Sequence, residues 1–128
     1  MKKIHIPKVR DKADLLYMEA LKDIPFEIKR VFIIKNIRQG SIRGDHANKK
    51  NKEVVFCIQG EVRIYLHNGK DHEYFTLSKP SEGLLVPNNI WIRLDHFSED
   101  AILMVMCSEL YDSKDYIYEL GDFLASQI

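Results

Sequence analysis

The chain has 128 residues, enough for one domain with a sizeable apolar core and short for two. Hydrophobic residues make up 45% and charged residues 30%, and 19 Lys plus Arg balance 19 Asp plus Glu, which argues against a nucleic-acid binder or a membrane-surface protein. The N-terminus lacks an apolar signal core and no apolar run approaches a membrane span, so the chain reads as a single cytoplasmic domain over 1–128.

In chain order, 13–22 (Ala-Asp-Leu-Leu-Tyr-Met-Glu-Ala-Leu-Lys) is weakly amphipathic and predicts a short helix ended by Ile24-Pro25. The pattern then turns to β. Residues 30–37 are β-branched and aromatic, and Gly40 follows as a turn. Residues 54–58 form a continuous apolar run ending at Gln59-Gly60, and 61–66 alternate. His67-Asn68-Gly69-Lys70 places Asn-Gly at a hairpin position, with 72–77 as the return strand. Further strands are expected at 84–87, 91–95 and 101–108, and 110–128 has helical character. Strands recurring about every 8–12 residues, with turn signals between them, favour an all-β barrel or sandwich over a βαβ fold.

Cys57 and Cys107 both lie in apolar runs, with no CxxC and no neighbouring His cluster. They read as buried, reduced, small hydrophobes, since an apolar setting disfavours the thiolate that a nucleophile needs. Lys49-Lys50-Asn51-Lys52 is a local basic run, read either as a solvated loop or as a rim attracting an anion such as a phosphate.

The most informative stretch runs from Gly40 to Gly60, with the spacing G-x5-H-x-N-x4-E-x6-G through His46, Asn48 and Glu53. It is similar to the first motif of the cupin barrel, except that Asn48 stands where a second His belongs. Strict strand alternation puts Gly44, His46 and Asn48 on one face and Arg43, Asp45 and Ala47 on the other. The second cupin motif corresponds to Pro87-Asn-Asn89-Ile-Trp91-Ile92, in which Asn89 replaces a Gly and Ile92 replaces a His. Two of four metal-ligand positions are lost, and Ile cannot bind a metal, so no metal is expected. A pocket histidine without a metal suits proton transfer near neutral pH. The enolate oxygen formed when a proton leaves the carbon beside a ketone would find a partner in Arg43, Lys49 or the Asn48 amide.

Several segments together resemble the WxcM-like, FdtA/QdtA-type sugar-nucleotide 3,4-ketoisomerases, a family of RmlC-like cupins. They are Arg30-Val-Phe-Ile-Ile, Arg43-Gly-Asp-His-Ala-Asn-Lys-Lys, Phe56-Cys-Ile-Gln-Gly, Gly83-Leu-Leu-Val-Pro-Asn-Asn-Ile-Trp, Phe97-Ser-Glu-Asp and Cys107-Ser-Glu-Leu-Tyr-Asp-Ser-Lys-Asp-Tyr-Ile. The resemblance runs from about Ile28 to Ile117. It implies an all-β cupin jelly-roll β-barrel, here with short N- and C-terminal helical segments, assembled as a homodimer. It further implies action on a dTDP-4-keto-6-deoxyhexose, moving the carbonyl from C4 to C3 through an enediol with no cofactor, for amino-dideoxy sugars of surface glycans. In the family's R-G-x-H-A-H-K motif both histidines shuttle protons. His46 matches the first, which implies that it is the catalytic residue, and Arg43, Asn48, Lys49, Glu53 and Trp91 are the substrate-binding candidates. Trp91 offers a ring to stack on thymine or sugar, or a buried aromatic at the rim. Tyr111, Tyr116 and Tyr118 are expected to pack the tail against the barrel or a partner. Asn48 cannot act as acid or base, which keeps a related isomerase or epimerase, or a non-catalytic sugar-nucleotide-binding cupin, as alternatives.

Overall fold

Among residues 2–128, which the computed structural model describes, the regular structure is almost entirely strand. A short N-terminal set comprises β1 (Lys2–His5), β2 (Lys8–Arg10) and β3 (Asp14–Leu16). The body follows as β4 (Arg30–Ile34), β5 (Arg43–Asn48), β6 (Glu53–Gln59), β7 (Val62–His67), β8 (His72–Leu77), β9 (Glu82–Val86), β10 (Trp91–Asp95) and β11 (Ile102–Cys107). A 3-10 turn (Ser113–Asp115), β12 (Tyr116–Ile117) and helix α1 (Leu120–Ser126) complete the chain.

Two five-stranded antiparallel sheets have the orders β1-β9-β6-β11-β4 and β12-β5-β10-β7-β8. From β4 to β11 successive strands cross between the sheets, except for the β7–β8 hairpin within the second sheet, as in a double Greek-key jelly roll. No described strand hydrogen-bonds into both sheets, so the expected barrel is a two-sheet sandwich, not a closed cylinder. Its inner core includes Val55, Cys57, Ile64, Leu66, Leu84, Leu103 and Val105, contributed by both sheets.

The residue patterns follow from which faces are covered. In β7, Val62, Ile64 and Leu66 are buried while Arg63, Tyr65 and His67 alternate outward, as a strand with one solvated face requires. In β6, Val55 and Cys57 face the inner core while Val54 and Phe56 lie under the N-terminal segment. Burial on both faces is why this strand reads as an unbroken apolar run. The hairpin between β7 and β8 forms around Asn68 and Gly69, although His67 pairs with His72, which leaves four residues in the loop.

The predicted helix over 13–22 does not form. β2 and β3 pair as a hairpin there, closed by an Arg10–Asp14 ion pair at 3.0 Å, and 20–24 is a turn. Leu16, Met18, Ile24, Phe26 and Ile28 instead supply every second residue to the outside of β6 and β11. Covering a sheet face with a narrow strap rewards that period of two, and Leu15, between the packed positions, is left exposed. The C-terminal helix does form, over Leu120–Ser126, and anchors through the fully buried Phe123 against Ala47 and Trp91.

Both cysteines are free and buried, and burial pushes each thiol up to about 11, in keeping with a packing role. Phe56 is fully buried between β6 and the strap. Phe56→Ala is expected to cost about 3–5 kcal/mol, read as a lowered urea midpoint at constant slope.

Candidate active site

One end of the sandwich opens into a cavity of about 330 Å³, the lower end of what a small-molecule site needs. Its polar wall carries Arg43 and His46, Glu53 stands on the wall across from them, and its floor is apolar, with Val55, Ile92, Leu94 and Val105. Tyr111, Tyr116 and Tyr118 close one side.

The polar wall depends on an irregularity in β5. Ile92 pairs with His46, but the next residue, Arg93, pairs with Gly44, so Asp45 is an extra residue bulged out of the ladder. Gly44 (φ 74) and Asp45 (φ 60) both adopt left-handed backbone. At Gly44 a Cβ would also stand 2.9 Å from Leu94 Cδ1 and 3.0 Å from the Ile92 carbonyl oxygen, so glycine is required on two grounds. The bulge changes the parity of the strand. Arg43 and His46, three apart, both face the cavity, where strict alternation had separated them.

Asp45 points to the opposite face, where the Trp91 indole Nε1 donates to its Oδ1 at 3.3 Å. Trp91 is buried against Ala47 and Phe123 and does not line the cavity. Its side chain braces the bulge from behind, which corrects the expectation that it stacks on substrate in this pocket. Lys49 is also elsewhere. Its side chain is exposed and borders a separate cleft with Lys29, Lys50 and Lys52.

Asn48 is buried but is not part of the cavity wall. Its Nδ2 donates to Asp115 Oδ2 at 3.1 Å. The same carboxylate accepts from the backbone N–H of Lys50 at 2.7 Å and of Asn51 at 3.1 Å. Asp115 thereby fastens the 48–51 loop to the C-terminal segment, and its own carbonyl accepts from Lys49 N at 2.8 Å. Directly after it, β12 pairs with β5 by Tyr116↔Asn48 and Ile117↔Ala47.

That pairing brings in residues the sequence reading missed. The Tyr116 ring lies edge-on to His46 with centroids 4.9 Å apart, and Tyr118 stacks on Tyr116 at 5.6 Å. Tyr116 and Tyr118 are two apart, a spacing that marks one strand face, but nothing in the chain shows where the tail docks. The rings of Tyr111 and Tyr118 are exposed at the mouth.

His46 is half-buried, and this desolvation lowers its pKa from 6.5. The Gly44 backbone and the Asn48 amide, which favour the charged ring, offset it only in part. The imidazole is thus held neutral and basic at neutral pH. Glu53 is buried in the facing sheet, and desolvation raises its carboxyl above the usual range despite a hydrogen bond from Cys107 and the nearby charge of Arg30. An imidazole held neutral and a carboxyl whose burial favours its protonated form, on opposite walls of one cavity, can move protons on a ligand held between them. A metal set is not assembled, because Ile92 offers no donor and the Asn48 amide is engaged with Asp115. Among the described residues, no three His, Cys, Asp or Glu side chains converge.

Comparison with known proteins matches this geometry to one family. The family model described as FdtA, WxcM-like, C-terminal, aligns with residues 1–127. The chain belongs to this family. It is 37% identical over 123 residues to a TDP-4-oxo-6-deoxy-alpha-D-glucose-3,4-oxoisomerase from Aneurinibacillus thermoaerophilus, covering 95% of this chain and 88% of that one. A 3,4-ketoisomerase from Helicobacter canadensis superposes with a TM-score of 0.95 at 32% identity, covering 98% of this chain and 96% of that one. The sugar 3,4-ketoisomerase QdtA from Thermoanaerobacterium thermosaccharolyticum, solved with TDP, gives 0.95 at 33% identity, covering 98% and 93%. Members of this family thus share the sandwich, which settles the cupin-like jelly roll expected from the motif spacing.

Because Gly44 carries the bulge, Gly44→Ala is expected to cost about 1–3 kcal/mol in chemical denaturation. It should also displace His46, seen as a changed imidazole chemical shift.

Proposed function

We propose that this protein is a 3,4-ketoisomerase of TDP-4-keto-6-deoxyhexoses, with His46 as the base that moves the proton between C3 and C4. The observation that carries this reading is the single neutral imidazole lining the cavity of a chain whose relatives are 3,4-keto- or oxoisomerases. The proton on C3 is acidic because it lies beside the C4 carbonyl. A base on one face of the ring can lift it and return it to C4, leaving the ketone at C3. A 3-ketone is the form that accepts an amine at that carbon, in keeping with a supply of amino-dideoxy sugars for surface glycans.

The other cavity residues divide the recognition. Arg43, exposed at the mouth, suits the diphosphate. The exposed rings of Tyr111 and Tyr118 suit the base. Glu53 faces the sugar, while Asn48 and Trp91 act by holding β5 in place. Lys49 is placed to add positive charge outside the pocket. The buried free thiols fit a reducing, cytoplasmic setting.

A homodimer is supported by an exposed apolar row on the outer face of the first sheet, with Val31 at 49% and Ile33 at 59% exposure. Wild type is expected to elute at twice the chain mass in light-scattering chromatography, and Ile33→Asp as a monomer.

His46→Asn should lower turnover of TDP-4-keto-6-deoxyglucose by about 10²–10⁴-fold and stop deuterium uptake from heavy water at C3 and C4. Retained full rate would remove His46 from the mechanism. Uptake at another carbon would point to an epimerase, and TDP binding without any uptake to a binding module. The acidic limb of kcat/KM in wild type should fall below 6.5, because burial holds the ring neutral down to that range.

A further inference from the structure

The isomerisation proposed above moves protons on oxygen as well as on carbon. O4 must gain one as the enediol forms, and O3 must lose one as the new ketone forms. His46 serves the carbons. Asn48 cannot exchange protons and its amide is committed to Asp115. Asp45 lies on the far side of the sheet with Trp91.

The facing wall holds a group that does fit. Arg30, Cys107 and Glu53 form one row across β4, β11 and β6, paired Arg30↔Cys107 and Cys107↔Glu53. Glu53 opens from that row onto the cavity with only 7% of its surface exposed. Its carboxyl receives a hydrogen bond from the Cys107 thiol, 3.6 Å from Oε2, and a thiol is a weak donor. The Arg30 guanidinium is turned onto the rings of Phe32 and Tyr111, at 5.7 and 5.6 Å from their centroids, instead of pairing with the carboxylate. A buried carboxyl with one weak partner, opening onto a ligand cavity, is built to meet a polar group of the ligand.

We propose that Glu53 is the second catalytic group and relays the proton between O4 and O3. This rests on the ketoisomerase reading. In the first half, His46 takes the C3 proton and the released electron pair forms the C3–C4 double bond. The carbonyl pair moves to O4, which takes the proton of Glu53. The result is a neutral enediol between an imidazolium and a carboxylate. In the second half, the carboxylate takes the O3 proton as the carbonyl forms at C3, and the double-bond pair takes the proton of His46 at C4. Both residues end as they began, and no oxidant or reductant is needed. The two oxygens of a carboxyl lie side by side, as do O3 and O4 of the enediol, so one oxygen can give while the other receives. His46 and Glu53 line the same cavity of about 330 Å³ from opposite sheets, so a ligand seated in it lies between them.

The charge environment agrees with the required starting states. Burial favours the protonated carboxyl, Asp115 adds to that, and Cys107 and the Arg30 charge oppose it. Cys107 stays a thiol, since burial pushes it to about 11. Across the cavity stand His46, held neutral, and the Tyr116 phenol.

The test uses TDP-4-keto-6-deoxyglucose with wild type, Glu53→Gln and Arg30→Gln. Gln copies the shape of a neutral carboxyl and removes its proton. Glu53→Gln is expected to lower kcat at least 100-fold with KM within about 3-fold, and to abolish the alkaline limb of the pH profile. Arg30→Gln removes the charge opposing protonation, so its alkaline limb should move to higher pH, which a purely structural role for the row would not produce. A wild-type rate and profile in Glu53→Gln, or an unmoved limb in Arg30→Gln, would overturn the relay while leaving the isomerase reading intact. A wild-type protein with no turnover would instead overturn the isomerase reading and the relay with it.

Discussion

With Gly44 and Asp45 both in the left-handed region, β5 carries one residue more than β10 beside it, and its inward face changes parity between Arg43 and His46. The rest of the cavity depends on that extra residue. It turns Asp45 outward to the Trp91 indole, sends His46 inward and brings Arg43 to the same side. Glycine at 44 lets the backbone turn within van der Waals contact of Ile92 and Leu94. Trp91, wedged between Ala47 and Phe123, keeps it from relaxing. The C-terminal helix thus contributes to the site without lining it.

A second support comes from Asp115. One buried carboxylate gathers the Asn48 amide and two backbone N–H groups of the 48–51 loop, satisfying donors that would otherwise be stranded near the core. The fastening also fixes β12 alongside β5 and so sets Tyr116 against His46. Asn48 therefore joins a strand end to the tail. The residue type that departs from the family's two-histidine motif has a defined structural use here.

One physical cause, desolvation, prepares both walls of the cavity. It disfavours charge on the imidazole and on the carboxyl alike, lowering the proton affinity of His46 and raising that of Glu53. The apolar floor of Val55, Ile92, Leu94 and Val105 is what removes the water. Ile92 shows the connection well. In place of a ligand atom it supplies hydrocarbon, and that hydrocarbon favours the uncharged form of both groups, the states from which the proposed proton transfer starts.

The strands of the body were legible in the residue pattern because each buries at least one face, and burial writes a period of two or an unbroken apolar run. His46 and Glu53 were legible from their spacing to flanking glycines. The helix expected at 13–22 was not there, because a short weakly amphipathic segment takes the geometry of the surface it covers. The 24–28 stretch shows the same period of two against β6 and β11. Trp91, Lys49 and Asn48 sit close to His46 along the chain or across the sheet, yet none lines the cavity. Strand faces assigned by strict alternation fail at a bulge, and a bulge is set by pairing with another strand. Arg30, Tyr111 and Tyr116 reach the site from distant parts of the chain, through the β4–β11–β6 row and the docking of the tail. The sequence by itself determined the run of strands along the chain, the all-β class and the candidacy of His46 and Glu53 for the pocket, since those follow from local period, spacing and residue chemistry. Which side chains share the cavity, and in which protonation state, was decided by tertiary structure alone, because register, bulging and burial are properties of strands in contact.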